Sequence, residues 1–487
     1  MSNFVVNVLK LVSGSVTAQI LGILLVPIIT RIYSPHDLGI FQIFLSISSI
    51  LIIFSTFSYQ FAIMLPKTEE DSANIALLCA ILVTLISLIT VIIVLLLPEG
   101  VDQLLNAPGI SNYLLYVPAI TFFNGIFFVQ NYWLSRKVRF GVIAGSRIVN
   151  TVSTKAFQLA APLISSISPF GLIAGYVVGY GCADLFMLKG VKNDLKIFSK
   201  VTLKRMKEMA IEYKNFPLYS SWSTLANTIS PQVPTFLLVY YYSTSVVGYF
   251  SLANQVVNMP MGLLGTAIQQ VFFQKISEVK NGNEPGDVKV IVGEVYKKLI
   301  LIGVFPMILL LILGEEIFTF AFGNSWYISG VYIKILVPWI FLVFLSAPIS
   351  TLYSVYDKQG VWFSFSIILL ISRVVALAIG GTYGSPEFAL GLFSFTGALF
   401  FLWNNAYLLN LTGISKKESV EILVKYTIIG SIVSLPLILL QVLSVNFYLI
   451  LLATAIITPI YYGITLHDDP TFKRMFAAFL VNIKSKI

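Results

Sequence analysis

Charge is the scarcest feature of this chain of 487 residues. Only 11% of its residues are Asp, Glu, Lys or Arg, whereas 57% are apolar. Soluble domains carry about 25% charged residues. The composition therefore excludes an ordinary soluble enzyme or binding domain and predicts a polytopic membrane protein.

Cysteine and histidine are almost absent. Cys79 and Cys182 lie within apolar stretches, where they fit packing roles better than a disulfide framework. With His36 and His467 as the two histidines of the chain, we expect no zinc cluster. The sequence also lacks paired carboxylates in a loop large enough to form a catalytic site. We therefore expect no catalytic residue, no metal and no cofactor.

Long apolar runs dominate what is present. Each run is long enough to cross a bilayer core of about 30 Å as a helix. The sequence therefore predicts an all-α integral membrane protein with about 14 transmembrane helices. The predicted spans are residues 8–30, 38–63, 74–97, 112–134, 142–165, 170–189, 217–241, 246–272, 297–314, 330–353, 361–379, 387–411, 426–442 and 446–466.

Lysine and arginine concentrate in alternate loops. One set of loops holds Lys67, Arg136, Lys137 and the basic run 189–214, whereas the other set holds Arg31 and otherwise mainly acidic residues. Because positive residues stay cytoplasmic, this pattern predicts an even number of spans with both termini in the cytoplasm. The net charge of +9 is thus mostly a topology signal, and we expect no nucleic-acid partner.

The stretch 213–275 repeats the start of the chain. Under a shift of about 209 residues, Tyr33, Ser34, Gly39, Phe41 and Gln60 fall on Tyr242, Ser243, Gly248, Phe250 and Gln269. Six spans separate the two copies, so the copies share one orientation. We expect a pseudo-twofold axis along the membrane normal to relate them.

The repeat predicts the domain organisation. We expect two six-helix bundles, 1–190 and 213–411, with a cavity between them, and two additional helices and a cytoplasmic tail in 412–487. A basic cytoplasmic linker, 191–212, joins the bundles. One apolar face of this linker, with Met206, fits a helix that lies on an anionic leaflet, and a positively charged connector explains the same pattern.

Charges inside the spans are the best guides to a site, because each costs about 2.5–3.5 kcal/mol at the bilayer centre. Lys155 in span 5 and Arg373 in span 11 both fall near mid-depth, in helices that the repeat relates. Arg147, Thr151, Lys155 and Gln158 form one polar stripe along span 5. Such a stripe suits sugar hydroxyls and an anionic head group, so we expect these residues to bind substrate.

Four further residues complete the candidate site, three of them with a structural alternative. Asn227 belongs to a similar polar stripe on span 7. We expect Lys334 either to line the cavity or to extend to the membrane interface. Arg31 is expected either to contact substrate or to cap its helix. For Asp184 the alternatives are a coupling-ion site and a salt bridge to a cation of span 5 that only orients the helices.

Several segments resemble one protein family. VPIITRIYSPHDLGIFQIF, FSYQFAIML at the end of span 2, and YKNFPLYSSW followed by SVVGYFSLANQVVNMPMGLLGTAIQQVFF are similar to the bacterial polysaccharide flippases. These are the O-antigen and capsule transporters of the multidrug/oligosaccharidyl-lipid/polysaccharide exporter superfamily. The resemblance extends over nearly the whole chain in span number, loop lengths and order.

The resemblance implies a transporter rather than an enzyme. It implies two six-helix bundles plus two C-terminal helices, and a cationic central cavity that Arg147, Lys155 and Arg373 would line by position. Its implied substrate is an undecaprenyl-pyrophosphate-linked oligosaccharide, moved across the bacterial inner membrane for O-antigen, capsule or exopolysaccharide synthesis. Membrane lipids, a polysaccharide polymerase and a chain-length regulator are the other expected partners.

Rival functions stay open on the sequence alone. A drug/cation antiporter of the same superfamily needs a membrane-embedded carboxylate, for which Asp184 is the candidate. A membrane glycosyltransferase or polysaccharide polymerase needs a sizeable outer loop with catalytic residues, and the outer loops here are short. A structural scaffold would not explain the polar stripes.

Overall fold

The computed structural model describes residues 3–96, 98–163, 168–282 and 285–469. Throughout these residues the regular secondary structure is helical, without a β-strand. The helices of 21 residues or more in this part of the chain are numbered α1 to α14. They are α1 Asn3–Leu24, α2 Pro35–Thr56, α3 Glu69–Leu96, α4 Tyr116–Arg136, α5 Phe140–Ala160, α6 Ser168–Val191, α7 Ser221–Tyr241, α8 Thr244–Lys280, α9 Val288–Phe322, α10 Tyr327–Ile349, α11 Gln359–Tyr383, α12 Pro386–Leu411, α13 Lys416–Val442 and α14 Phe447–Asp468. The predicted cytoplasmic tail beyond residue 469 lies outside the described residues.

Ten helical segments of the described chain are long and apolar enough to cross a membrane. They do not include α4, α5, α7 and α8, which are richer in polar side chains. Five of the predicted site residues lie on these more polar helices, namely Arg147, Thr151, Lys155, Gln158 and Asn227. The all-α membrane fold predicted from the sequence is confirmed, whereas the number of fourteen spans stays a prediction.

Serine caps mark several helix starts. Ser34 precedes α2 in a capping box: its hydroxyl accepts from the Asp37 N–H at 3.2 Å, and the Asp37 carboxylate accepts from the Ser34 N–H at 2.8 Å. Ser385 caps α12 and Ser415 caps α13 by accepting from the third residue of each helix. These bonds satisfy N–H groups that have no partner within the helix.

The described residues form two compact units, and the first holds Met1–Leu252 and Phe322–Trp326. In it, α5 packs along α6 and α1, and α4 packs against α3 and α6. Helix α7 joins this unit because it packs on α2, where the Ser46 hydroxyl donates to Gln232 Oε1 at 2.7 Å. The bundle limits predicted from the repeat, 1–190 and 213–411, stay a prediction.

The predicted linker belongs to the first unit and contains a helix, Leu203–Glu212. Met206 and Met209 on this helix are buried, and Met209 joins a core cluster with Tyr59. The face that suggested a membrane-surface helix therefore packs on protein. Arg205 donates to both oxygens of Asp71 at 2.6 and 2.9 Å. This carboxylate raises the pKa of the Arg205 guanidinium above its usual value.

The second unit holds Ala253–Ala321 and Tyr327–Ile487. Helix α12 packs against α10 and α11. The two C-terminal helices attach to α9, because the Tyr461 ring of α14 stacks on Phe305 at 4.8 Å and its hydroxyl donates to the Leu301 carbonyl at 3.1 Å. Helix α13 adds a bond from Gln441 Nε2 to the Ile312 carbonyl, also at 3.1 Å.

Two glycines of the sequence repeat meet inside the first unit. A Cβ atom added to Gly39 would lie 1.8 Å from the Thr244 carbonyl oxygen, and one added to Gly248 would lie 1.8 Å from the Pro35 carbonyl oxygen. The same repeat shift relates Pro35 to Thr244, so the contact is symmetric. Backbone therefore packs directly on backbone at the starts of α2 and α8, an approach that only small residues allow.

We expect Gly39→Ala and Gly248→Ala each to destabilise the protein. The added methyl meets a backbone oxygen that cannot rotate away, and overpacking of this kind costs about 1–3 kcal/mol. The measurement is the midpoint of thermal unfolding of the purified protein in detergent. Gly391→Ala in α12 is the control, because nothing lies within 4 Å of its added Cβ. Equal midpoints for all three variants would contradict the tight contact.

Candidate functional site

Helix α5 carries the predicted polar stripe on one face of the first unit. Lys155 is half-buried, and its Nζ donates to Gln158 Oε1 at 3.2 Å. Within the described ranges no carboxylate forms an ion pair with Lys155. Thr151 lies one helical turn away and is also half-buried. The structure therefore keeps a cation inside a helix bundle with one neutral amide as its partner.

Gln158 is held by protein on every side. Its side chain is buried, and its Nε2 donates to the Leu172 carbonyl at 3.1 Å. Its backbone carbonyl accepts from the Tyr33 hydroxyl at 2.6 Å. Gln158 was predicted to touch substrate, but its amide groups are used within the protein. This geometry makes it a positioning residue for Lys155.

Arg147, two turns before Lys155 on the same face, is half-buried. Its Nη1 donates to the hydroxyl of Ser15 on α1. The guanidinium therefore has a neutral hydroxyl group of a neighbouring helix as its partner.

Arg373 on α11 is the deep cation of the second unit. Its guanidinium lies over the rings of Trp339 and Phe393, with ring centroids at 5.5 and 5.6 Å. The buried Nε makes no hydrogen bond within the described residues. Cation–π contacts of this kind contribute about 0.5–2 kcal/mol each when the cation is desolvated. Aromatic faces, rather than a carboxylate, thus stabilise the charge.

The remaining predicted residues differ in their surroundings. Lys334 pairs with Glu315 at 2.8 Å, and Glu315 also accepts from the Tyr327 hydroxyl at 2.5 Å. Arg31 ends the short helix Val26–Ile32 and is exposed. Asn227 is exposed on α7. An ion pair with Glu315 explains Lys334 without any ligand.

Asp184 on α6 is buried, with 6% of its surface exposed. Both carboxylate oxygens lack a hydrogen-bond partner in the described part of the chain. The salt bridge offered as its structural role, to Lys155 or Arg147, is not formed among these residues. Helical spacing places Asp184 on a face of α6 but does not select its partner, which explains why the sequence left this pairing open.

Asp194 shows what a structural carboxylate looks like in the same unit. Arg139 donates to its two oxygens at 2.7 and 2.9 Å, and Trp133 Nε1 donates at 3.0 Å. Asp194 is as buried as Asp184, with 5% of its surface exposed. Asp194 is fully paired, as a structural carboxylate is expected to be. Asp184 is equally buried but has no described partner, so a structural role does not explain it in the same way.

Sequence reasoning missed a polar cavity of about 320 Å³ in the first unit. Its walls come from α2, α4, α6, α7 and the short helix Tyr59–Met64, so residues far apart in the chain converge. One of them, Gln60, did carry a signal, since it is matched in the sequence repeat. The lining residues are Ser49, Ile52, Ile53, Ser58, Gln60, Phe61, Asn124, Phe128, Tyr132, Tyr176, Thr224 and Thr228.

Ten helices of the described chain, each long and apolar enough to cross a membrane, define a multi-pass membrane protein. The chain belongs to the family described as "Polysaccharide biosynthesis protein", whose model matches residues 28–329. This confirms the family predicted from the sequence. No curated protein matches the chain.

Solved structures show the same fold at low sequence identity. A structure of the lipid II flippase MurJ in an inward closed conformation is 16% identical, with a TM-score of 0.69, over 94% of this chain and 99% of that one. An inward-facing multidrug resistance MATE family transporter of the MOP superfamily is 14% identical, with a TM-score of 0.60, over 82% and 96%. A MATE structure in complex with MaD3S is 13% identical, with a TM-score of 0.51, over 84% and 96%. The chain therefore shares the fold of these transporter structures.

We expect Asp194→Asn and Asp184→Asn to differ in their effect on stability. Breaking the Asp194 cluster leaves the partly exposed Arg139 guanidinium and the buried Trp133 indole without their carboxylate partner, at a cost of about 1–3 kcal/mol. At Asp184 a neutral amide removes the cost of burying an unpaired charge, so stability should stay equal or rise. The midpoint of thermal unfolding in detergent measures both. A similar fall in both variants would show that Asp184 has a structural partner.

Proposed function

We propose that this protein is a flippase for a lipid-linked glycan. Its substrate would be an undecaprenyl-pyrophosphate-linked oligosaccharide repeat unit, moved from the cytoplasmic to the periplasmic leaflet of the bacterial inner membrane. The product would supply O-antigen, capsule or exopolysaccharide synthesis. The observation that carries the proposal is that each unit holds a half-buried cation, Lys155 or Arg373, for which no described carboxylate is an ion-pair partner.

The chemistry of the head group matches these cations. A pyrophosphate carries several negative charges, and charge-assisted hydrogen bonds to it are about twice as strong as neutral ones. In a membrane interior of low dielectric the attraction is larger than in water. An arriving anion would also offset the cost of keeping the two cations out of water. A substrate without negative charge would leave that cost uncompensated.

The proposed cycle is alternating access, with both chain termini in the cytoplasm. Lys155 and Arg147 of the first unit would bind the pyrophosphate, while Gln158 holds Lys155 in place, and Arg373 would bind an anionic group of the substrate in the second unit. Thr151, Asn227 and Arg31 would contribute polar contacts along the path, whereas Lys334 is already paired with Glu315. Membrane lipids surround the polyprenyl tail, and a polysaccharide polymerase and a chain-length regulator would act on the product.

A second candidate function is a drug/cation antiporter, and Asp184 is the observation that favours it. A buried carboxylate for which no described group is a hydrogen-bond partner can take up a proton or a cation. In the flippase proposal the same residue serves as an ion-coupling site. Resistance of the host to cationic dyes separates the two: loss of resistance on deletion, with surface polysaccharide intact, would favour the antiporter.

We expect Lys155→Ala and Arg373→Ala to lower polysaccharide export by about tenfold or more, because each removes a charged hydrogen-bond donor. Lys155→Arg and Arg373→Lys should keep most of the export. The measurement in the native host is surface polysaccharide, together with lipid-linked repeat units that accumulate on the cytoplasmic face, at matched membrane abundance. Lys298→Ala is the control, because Lys298 pairs with Glu294 at 3.0 Å.

Normal export by both Ala variants would overturn the assignment of these cations. If the Ala variants do not reach normal abundance, Lys155→Met and Arg373→Met take their place, since methionine keeps the apolar stem of the side chain. Export by the Met variants at the wild-type level would contradict the proposal in the same way.

A further inference from the structure

The polar cavity of the first unit has the size and chemistry of a ligand site. Its volume of about 320 Å³ lies within the range of about 300–1,000 Å³ that is typical of small-molecule pockets. No charged residue is among the twelve residues that line it. An uncharged lining gives no compensation to a pyrophosphate or to a cationic drug, so the chemistry selects a neutral polar occupant.

Two amides supply complementary hydrogen-bonding groups at this cavity. Asn124 is 5% exposed, and its buried Oδ1 has no hydrogen-bond partner within the described residues. Gln60 accepts from the Thr56 hydroxyl through Oε1 at 2.5 Å, and no described group bonds to its Nε2. The cavity thus presents one open acceptor and one open donor. A sugar hydroxyl donates and accepts at the same time, and it satisfies both.

Burial makes the open acceptor informative. An unpaired polar atom buried in protein costs about 1–3 kcal/mol, and a ligand group that bonds to it would offset this cost. Asn124 lies on α4 among the residues that line the cavity, and its Oδ1 is left without a described partner there.

Aromatic rings and hydroxyls complete the lining. Phe61 and Tyr132 meet edge to face, with ring centroids 5.4 Å apart. A pyranose ring has apolar C–H faces and a rim of hydroxyls, so it packs on aromatic faces while its rim bonds to amides and hydroxyls. Thr224 and Thr228 on α7 add hydroxyls to this lining. An acyl or prenyl chain would leave the amides unpaired.

The backbone beside the cavity is unusual. Phe57 and Ser58, between α2 and the short helix Tyr59–Met64, both adopt left-handed conformations, with φ of 47° and 60°. Such values are uncommon outside glycine and cost free energy. This turn carries Ser58 and Gln60 into the cavity wall. It lies at the end of α2 that the predicted topology places toward the cytoplasm.

We propose that this cavity is a subsite for one neutral sugar residue of the lipid-linked glycan, contacted by Gln60 and Asn124 and loaded from the cytoplasmic side. The inference rests on the proposed flippase function and adds a neutral sugar subsite to the cationic site. The cations around Lys155 in the first unit would bind the pyrophosphate, and this cavity would bind the sugar.

The test is a binding measurement on the full-length protein in lipid nanodiscs, by native mass spectrometry. The two probes are undecaprenyl pyrophosphate without sugar, and the undecaprenyl-pyrophosphate-linked repeat unit extracted from a polymerase-deficient strain of the host. Asn124→Leu and Gln60→Met remove the two open groups at nearly constant volume. We expect each to weaken binding of the glycosylated probe about tenfold and to leave binding of the sugar-free probe unchanged.

Gln130→Met is the matched control. Gln130 lies on α4 like Asn124, is 8% exposed, and also has a buried amide oxygen without a described partner. It lines a different, apolar cavity with Ala76 and Trp133. We expect this variant to bind both probes as the wild type does.

The outcomes are distinguishable. Equal affinity of wild type and both cavity variants for the glycosylated probe would overturn the sugar subsite and leave the flippase proposal intact. Parallel loss of both probes in these variants would also overturn it, because a sugar site cannot affect the sugar-free lipid. If the wild type binds neither probe better than a phosphatidylglycerol control, the proposed function itself fails.

Discussion

A charge inside a bilayer must be compensated within the protein, because no bulk water lies beside it. Buried charges of the first unit are compensated to different degrees, in its helices and in the linker alike. Asp194, in the linker, is fully paired with a guanidinium and an indole. Lys155 has one neutral amide, and no described group bonds to Asp184. Groups whose charge is fully compensated stabilise the fold, whereas groups whose charge is only partly compensated can still bind a ligand or an ion.

In the second unit, Arg373 is the cation whose charge is only partly compensated. Two aromatic faces stabilise its guanidinium, and they leave hydrogen-bonding capacity unused. Lys334, in contrast, is neutralised by Glu315. Arg373 and Lys155 can each still bind an anionic group, whereas Lys334 is already paired. Lys155 and Arg373 therefore keep hydrogen-bonding capacity for an anionic ligand, whereas Lys334 does not.

Much of the fold could be predicted from the sequence because long apolar runs and the distribution of lysine and arginine carry it. The repeat was visible in Gly39 and Gly248, and the structure gives the physical reason: two backbones touch there. Pairing between side chains was less predictable. Periodicity gives the face on which Asp184 or Gln158 lies, but the Leu172 carbonyl that fixes Gln158 belongs to another helix.

The polar cavity was hidden for the same reason. Gln60, Asn124, Tyr176 and Thr224 come from four separate segments, and nothing in the linear sequence connects them. The surroundings of the linker helix were hard to predict for a related reason, because an apolar face fits a membrane surface as well as a protein surface. In the structure Met209 packs in the core of the first unit, whereas Leu203 is exposed.

The most direct test of the account is transport by the purified protein. Proteoliposomes would contain the lipid-linked repeat unit of the host with a labelled glycan, and an impermeant glycosidase added outside would report how much glycan reaches the outer leaflet. The account predicts complete access with the wild-type protein and access to only the initially outward half in protein-free vesicles. Equal access in both preparations, with the protein shown to be folded and inserted, would contradict it.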